Sequence, residues 1–399
     1  MRRIFFALLL LLFFNQGVAQ APANFQLSEK AEISLLTCGP GTELYSQFGH
    51  NAFRVKDPLY GIDVVYNYGT FDFDTPYFYA KFARGKLLYQ LSRSKFERFL
   101  YTYQYENRWI KEQILNIDQE AKQELFQFLE INLKPENRSY KYDFFFNNCA
   151  TKMRTVLQEV MDGKVNFDDT VETPMTFRAI IHQYVQHNSW SGFGIDLALG
   201  AVIDRETTAK ERFFIPDYVF EGYADANLRN RAENKVELVE KTATIYEPAV
   251  KENKSFFLTS PLVIFCLLMI VILWVTYKDN KTGKRSTWLD IILFLTTGLA
   301  GLVILFLWFG TDHSATALNL NVLWAFAPNL FVAFLLKRNK KWFVGYMNLL
   351  IVLVLLVVLI WAIGSQIFPL MSIPILVALV VRYGYLRSFY KRSLSTSEK

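Results

Sequence analysis

The chain has 399 residues, 52% of them hydrophobic and 20% charged, with a formal net charge of +6. That average hides two unlike parts, a charged stretch up to about Lys254 and a strongly apolar one after it, which excludes a wholly soluble protein. Much of the positive excess sits in loops between the apolar segments, so no nucleic-acid face is expected.

Met1-Arg2-Arg3, the apolar run 4–14 and the small residues Gly17-Val18-Ala19 have the layout of a secretory signal peptide, residues 1–19, with the mature chain starting near Gln20. No cysteine follows the small residues, so the chain itself is not marked for lipid attachment. An exported domain is expected over 20–254. Within it, 33–38, 52–56 and 63–68 read as strands, with turns at Gly39-Pro40-Gly41 and Asp57-Pro58. Helical spacing marks 94–109, 119–133, 150–161 and 176–187, which makes the class α+β with an antiparallel sheet. Residues 229–254 mix charges of both signs and read as an exposed helix or tether.

From 255 to 399 an all-α transmembrane domain of five helices is expected, at 257–277, 288–309, 318–336, 342–363 and the shorter 368–381, each near the length that crosses a bilayer. Lys278, Lys281, Lys284 and Arg285 follow the first segment, Lys337, Arg338, Lys340 and Lys341 the third, and Arg382, Arg387, Lys391 and Arg392 the fifth. Loops 310–317 and 364–366 carry no Lys or Arg. The positive-inside rule therefore puts the C-terminus in the cytoplasm and the exported domain on the opposite side, in the periplasm, of a multi-pass inner-membrane protein.

The chemistry-bearing stretch is Tyr142-Asp143-Phe144-Phe145-Phe146-Asn147-Asn148-Cys149-Ala150-Thr151-Lys152-Met153-Arg154. Met153, Val156, Leu157, Val160 and Met161 recur at helical spacing and Asn148 is a good N-cap, so Cys149 opens a helix. Free N–H groups and the helix dipole there stabilise a thiolate, which makes Cys149 the candidate nucleophile. His50, at the head of an alternating run, is the candidate base. The bland alternatives are a buried structural cysteine or a disulfide between Cys38 and Cys149, which an oxidising compartment permits. There is no phosphate-cradling glycine loop, and none of the four histidines is spaced with another ligand as a zinc site requires, so neither cofactor nor metal is expected.

A histidine on an early strand followed by an Asn-Cys motif opening a helix resembles circularly permuted papain-like thiol enzymes, such as the lecithin:retinol acyltransferase group. More closely, Leu36-Thr37-Cys38-Gly39-Pro40-Gly41, Phe48-Gly49-His50, Tyr66-Asn67-Tyr68-Gly69-Thr70-Phe71 and Asn147-Asn148-Cys149-Ala150-Thr151 resemble the periplasmic domain of the Bacteroides-type lipoprotein N-acyltransferase (Lnb) family. Thr311-Asp312-His313 with Asn319-Leu320-Asn321-Val322-Leu323-Trp324 resembles that family's membrane half, so the likeness covers nearly the whole mature chain.

The resemblance implies transfer of a fatty acyl chain from a membrane phospholipid, through a Cys149 thioester, to the N-terminal amine of lipidated lipoproteins. Asn67 or Tyr68 would orient His50, strand alternation allowing only one of them. Arg154 and Arg178 on predicted helices are candidates for a phospholipid phosphate, against the ordinary reading of solvated or ion-paired arginines. His313, with Asp312 and Asn321 near the same membrane face, is a candidate headgroup or lipoprotein contact, whereas His182 and His187 read as helix-surface positions. The competing functions are a membrane-anchored papain-like cysteine hydrolase of peptidoglycan stem peptides and a non-catalytic envelope scaffold or sensor.

Overall fold

The computed structural model describes residues 25–229, 234–248, 257–338 and 341–397, so the signal-peptide segment lies outside the described residues. β1 (Glu32–Cys38), β2 (His50–Asp57) and β3 (Ile62–Thr70) form an antiparallel meander in which Cys38 faces His50 and Phe53 faces Tyr66. β1 and β2 are buried along nearly their whole length because the sheet is covered on both faces. Ile33, Leu35, Phe53, Val55 and Tyr66 join one core, and Leu36, Cys38, Ala52 and Val65 join another.

The meander is extended by β4 (Leu88–Lys95), which follows the short helix α1 (Phe78–Ala83), and by β5 (Ile110–Leu115), which follows α2 (Phe96–Tyr105). The helix expected over 94–109 is thus shorter and flanked by two strands. Arg93, a charge that argues against a strand, is satisfied by an ion pair with Glu130 across to α3 (Gln119–Leu133). β6 (Ser139–Lys141) closes one edge. Beyond the short pair β7 (Val165–Asn166) and β8 (Asn227–Arg229), with β9 (Lys235–Glu237) beside it, β10 (Val239–Tyr246) closes the other edge, giving the order β10-β5-β1-β2-β3-β4-β6. The mixed charges of 235–246, expected as helix or tether, are those of a sheet edge whose outer side chains meet water.

Helix α4 (Cys149–Val160) lies against β2, with Ala150, Met153, Val156 and Leu157 in the core. Its start is fixed by a capping box. Asn148 Oδ1 accepts the Thr151 N–H at 2.8 Å and Thr151 Oγ1 accepts the Asn148 N–H at 2.8 Å. The Asn148 amide also donates to the carbonyls of Phe144 and Phe214, which ties the cap to α5 (Phe177–Tyr184) through the aromatic cluster around Phe145, Phe177 and Phe214.

After α6 (Trp190–Ala198), α7 (Ala209–Arg212) and α8 (Pro216–Asp225), four helices among the described residues are long and apolar enough to cross a membrane. They are α9 (Pro261–Thr282), α10 (Thr287–Phe309) and, beyond the short α11 (Asn329–Val332), α12 (Trp342–Ala362) and α13 (Ile373–Ser397). The expected third span, 318–336, is not one continuous helix. It still connects opposite ends, since the Asn319 amide donates to the Leu197 and Ala198 carbonyls of α6 while Leu336 O accepts from Arg285 and Tyr390. Asn319, Asn321, Pro328 and Asn329 interrupt the helical ladder. Gly298 and Gly301 of α10 allow the irregular backbone to press close: a Cβ on either would lie about 2 Å from Leu330 N or Ala325 O, at 2.2 and 1.9 Å. Asn329, fully buried, donates to Thr297 Oγ1 and accepts from the Tyr346 hydroxyl, so its polar side chain is satisfied inside the protein, the condition under which irregular backbone is tolerated at membrane depth.

At the basic-loop end, Arg382 is fully buried and bonds Asp290 Oδ1 at 2.7 Å and Asp279 Oδ2 at 2.8 Å. Replacing Arg382 by Met leaves two buried carboxylates without their shared cation, and should cost about 3 kcal/mol or more. Thermal unfolding of the purified protein in detergent should show a clear drop for Arg382→Met and none for Lys391→Met, whose side chain is exposed.

Candidate active site

Three elements end at the same corner of the sheet: β2 begins with His50, β3 ends past Asn67, and α4 begins with Cys149. The Cys149 thiol and the His50 imidazole are within hydrogen-bonding reach of each other. His50 Nε2–H donates to Asn67 Oδ1 at 3.2 Å, which leaves Nδ1 for the thiol. Burial alone would push the Cys149 thiol up. The facing His50 charge, its hydrogen bond and the backbone N–H groups of Asn51 and Ala150 outweigh burial and hold the thiol below its ordinary value. Burial would lower His50, but the charge and hydrogen bond of Cys149 and the bond to Asn67 raise it. The two shifts run in the sense that favours proton transfer from the thiol to the imidazole.

Cys38 sits directly across the ladder from His50, yet both it and Cys149 are free thiols, which overturns the disulfide alternative. Burial pushes the Cys38 thiol far up, so it remains an inert core group.

Sequence reading assigned no separate role to Gly69 or to Tyr89, Tyr140 and Tyr142. The β3–β4 ladder shifts register between Asn67 and Thr70, and Gly69 sits in the bulge at φ +89°. A Cβ there would stand 3.5 Å from Cys149 Cβ and 3.9 Å from both Tyr140 Oη and Tyr142 Cε2. Tyr142 stacks on Tyr89 with ring centroids 4.1 Å apart, forming an aromatic wall beside the thiol. The Tyr-Gly-Thr step in an otherwise β-branched and aromatic strand was the readable signal for this bulge.

Asn67, not Tyr68, is the neighbour of His50. Tyr68 points into the core, 2% exposed, with its ring 6.0 Å from Tyr140. Arg154 is buried, paired with Asp169 at 2.9 Å and packed between the rings of Phe167 and Phe213. Arg178, 1% exposed, is held by Asp196 and Asp204. Both guanidinium groups are thus committed to carboxylates away from the thiol. His182 is not a surface group: its side chain is enclosed, with Nε2 2.9 Å from Asp196 Oδ1, Nδ1 3.0 Å from Val185 O and its ring stacked on that of the exposed His187. His182, His187 and Asp196 bring their ligand atoms within 4.8 Å, a grouping that sequence spacing did not reveal, although Arg178 shares the Asp196 oxygen.

The membrane-side loop after α10 holds the corner in place. Lys141 Nζ bonds Asp312 at 2.8 Å, Ser314 Oγ donates to Asp143 at 2.7 Å, and the Asp312 N–H donates to Arg84 O at 2.9 Å. His313 lies in this loop against Gly85, not at the thiol pair.

The Lnb N-terminal periplasmic domain matches residues 21–183, and the Lnb transmembrane domain matches residues 251–393. No curated protein and no solved structure matches the chain. Matched in both halves, the chain belongs to the Lnb family and is a membrane protein with a periplasmic N-terminal domain.

Proposed function

We propose that this chain is a lipoprotein N-acyltransferase of the inner membrane, with Cys149 as nucleophile, His50 as general base and acid, and Asn67 orienting the imidazole. The observation that carries the reading is the Cys149–His50–Asn67 arrangement at a sheet corner seated on the loop that ends a membrane-spanning helix. The Cys149 thiolate attacks the carbonyl carbon of a phospholipid ester. The C–O bond breaks, His50 protonates the departing lysophospholipid oxygen, and a thioester remains on Cys149. The free α-amine of a lipidated N-terminal cysteine then attacks that carbonyl. His50 accepts the amine proton, the C–S bond breaks, and the product is an amide with the thiolate restored. Both substrates are anchored in the same bilayer as the enzyme, which raises their effective concentration without further contacts.

Mass spectrometry of a lipoprotein's N-terminal peptide should show one additional acyl chain in cells carrying the wild-type protein and none with Cys149→Ser, provided the variant accumulates in the membrane. Release of cleaved stem peptides from murein without any lipoprotein mass gain would establish the hydrolase instead.

Alkylation of Cys149 against pH tests the base. Because the thiol is lowered and the imidazole raised, the wild type should react fast already below the ordinary thiol pKa of 9.0. In His50→Ala the burial penalty persists while the opposing charge is gone, so the profile should move to higher pH and turnover should fall about 100-fold or more. An unmoved profile would remove His50 from the role. Asn67→Ala should lower turnover by about 10-fold or more while Tyr68→Phe should not, because only Asn67 holds the ring.

A further inference from the structure

Residues 71–88, which run from the end of β3 to the first residue of β4, carry large side chains that no core absorbs. Phe73 is 68% exposed, Tyr77 84% and Tyr79 80%, with Phe82 and Leu88 also exposed. Lys81, Arg84 and Lys86 lie among them. This segment is pinned at the height where α10 leaves the membrane: Asp312, three residues past Phe309, donates its N–H to Arg84 O, and Gly85 packs on His313 so closely that a Cβ would lie 3.1 Å from the imidazole. Aromatic residues with interspersed cations at that height form the pattern of a protein surface lying in a lipid headgroup layer. The cations complement anionic phospholipid.

The same segment leads inward. Tyr79 touches Phe78, which meets Phe73 at 4.8 Å between ring centroids; Phe73 meets Phe71 at 5.0 Å, and Phe71 meets Tyr89 at 5.4 Å. Tyr89 stacks on Tyr142, which with Cys149 borders Gly69. A continuous run of rings thus joins the exposed face to the thiol.

We propose that residues 71–88 dip into the periplasmic leaflet of the bilayer and that their aromatic run guides one acyl chain of a phospholipid to Cys149. The membrane contact stands by itself; the guidance rests on the phospholipid-donor reading above. Phe71 and Tyr89 supply apolar surface for the chain, and Lys81, Arg84 and Lys86 hold the headgroup phosphate near the interface.

Full-length protein is reconstituted in phosphatidylethanolamine–phosphatidylglycerol bilayers containing a brominated-chain phospholipid. Tyr79→Trp should add fluorescence that the bromines quench. Leu59→Trp should add fluorescence that they do not, since the β2–β3 turn lies at the far end of the sheet, about 25 Å from Thr70. If the fluorescence added by Tyr79→Trp stayed unquenched, the membrane contact would be overturned whatever the enzyme does. In the second arm, acyl-Cys149 formation is measured from the same vesicles and from a water-soluble short-chain ester. For Phe73→Ser/Tyr77→Ser/Tyr79→Ser, the ratio of vesicle to soluble-ester acylation should fall about 10-fold or more. An unaltered ratio, or a loss confined to the later transfer to lipoprotein, would overturn chain guidance and assign the face to the acceptor. Absence of acyl-Cys149 in the wild type with both donors would instead overturn the acyltransferase reading, and the quenching result would remain.

Discussion

The mutual influence of Cys149 and His50 is the interaction on which the rest of the corner depends, because it sets two opposing effects against each other. Burial penalises each charge separately, and their mutual attraction with the Asn51 and Ala150 N–H groups more than offsets that penalty. Each structural device nearby protects this balance. The capping box around Asn148 fixes where α4 begins, so the Ala150 N–H meets the sulfur at a defined place. The bulge at Gly69, whose φ of +89° favours glycine, brings the strand to contact distance of Cys149. Asn67 takes Nε2–H and so turns the other ring nitrogen toward the thiol.

How much of this was legible in the sequence follows from how local each signal is. The start of α4 was readable because an N-cap, a following apolar period and the cysteine lie within a few consecutive residues, and His50 was readable from strand alternation. The choice between Asn67 and Tyr68 needed the sheet, since alternation says that the two point to opposite faces but not which face holds His50. Arg154 and Arg178 were attractive as phosphate ligands only while their partners were unknown. Asp169 lies 15 residues from the first, and Asp196 and Asp204 lie 18 and 26 from the second, separations at which a sequence carries no pairing signal. β4 and β10 were missed because their polar residues are solved by long-range pairing or by an edge position, both properties of the assembled sheet.

The membrane half shows the same limit. Hydropathy counts apolar residues and reads 318–336 as a helix, whereas the close approach of Ala325, Asn329 and Leu330 to Gly301, Thr297 and Gly298 of α10 makes an irregular, close-packed chain the better solution. The outcome couples the halves. Asn319 and Asn321 donate to carbonyls of α6, whose Asp196 holds Arg178 and His182, while Asp204 accepts the Ile367 N–H at 3.2 Å. The periplasmic domain is therefore bonded to the membrane domain through buried polar groups as well as through the exposed loop at Asp312.

That rigid seating bears on why an amine rather than water would complete the proposed reaction. A thioester is attacked by whichever nucleophile is present at high local concentration and in line with the carbonyl. In a freely tumbling domain water would dominate by abundance. Here the thiol corner is fixed against the loop that follows a membrane span, beside an aromatic wall formed by Tyr89 and Tyr142, so an acceptor confined to the bilayer surface has only a short search. On the proposed reaction, selectivity for the amine would come less from any one residue touching it than from where the fold holds the thioester, and loosening that seat should shift the products toward free fatty acid before it slows acylation of Cys149.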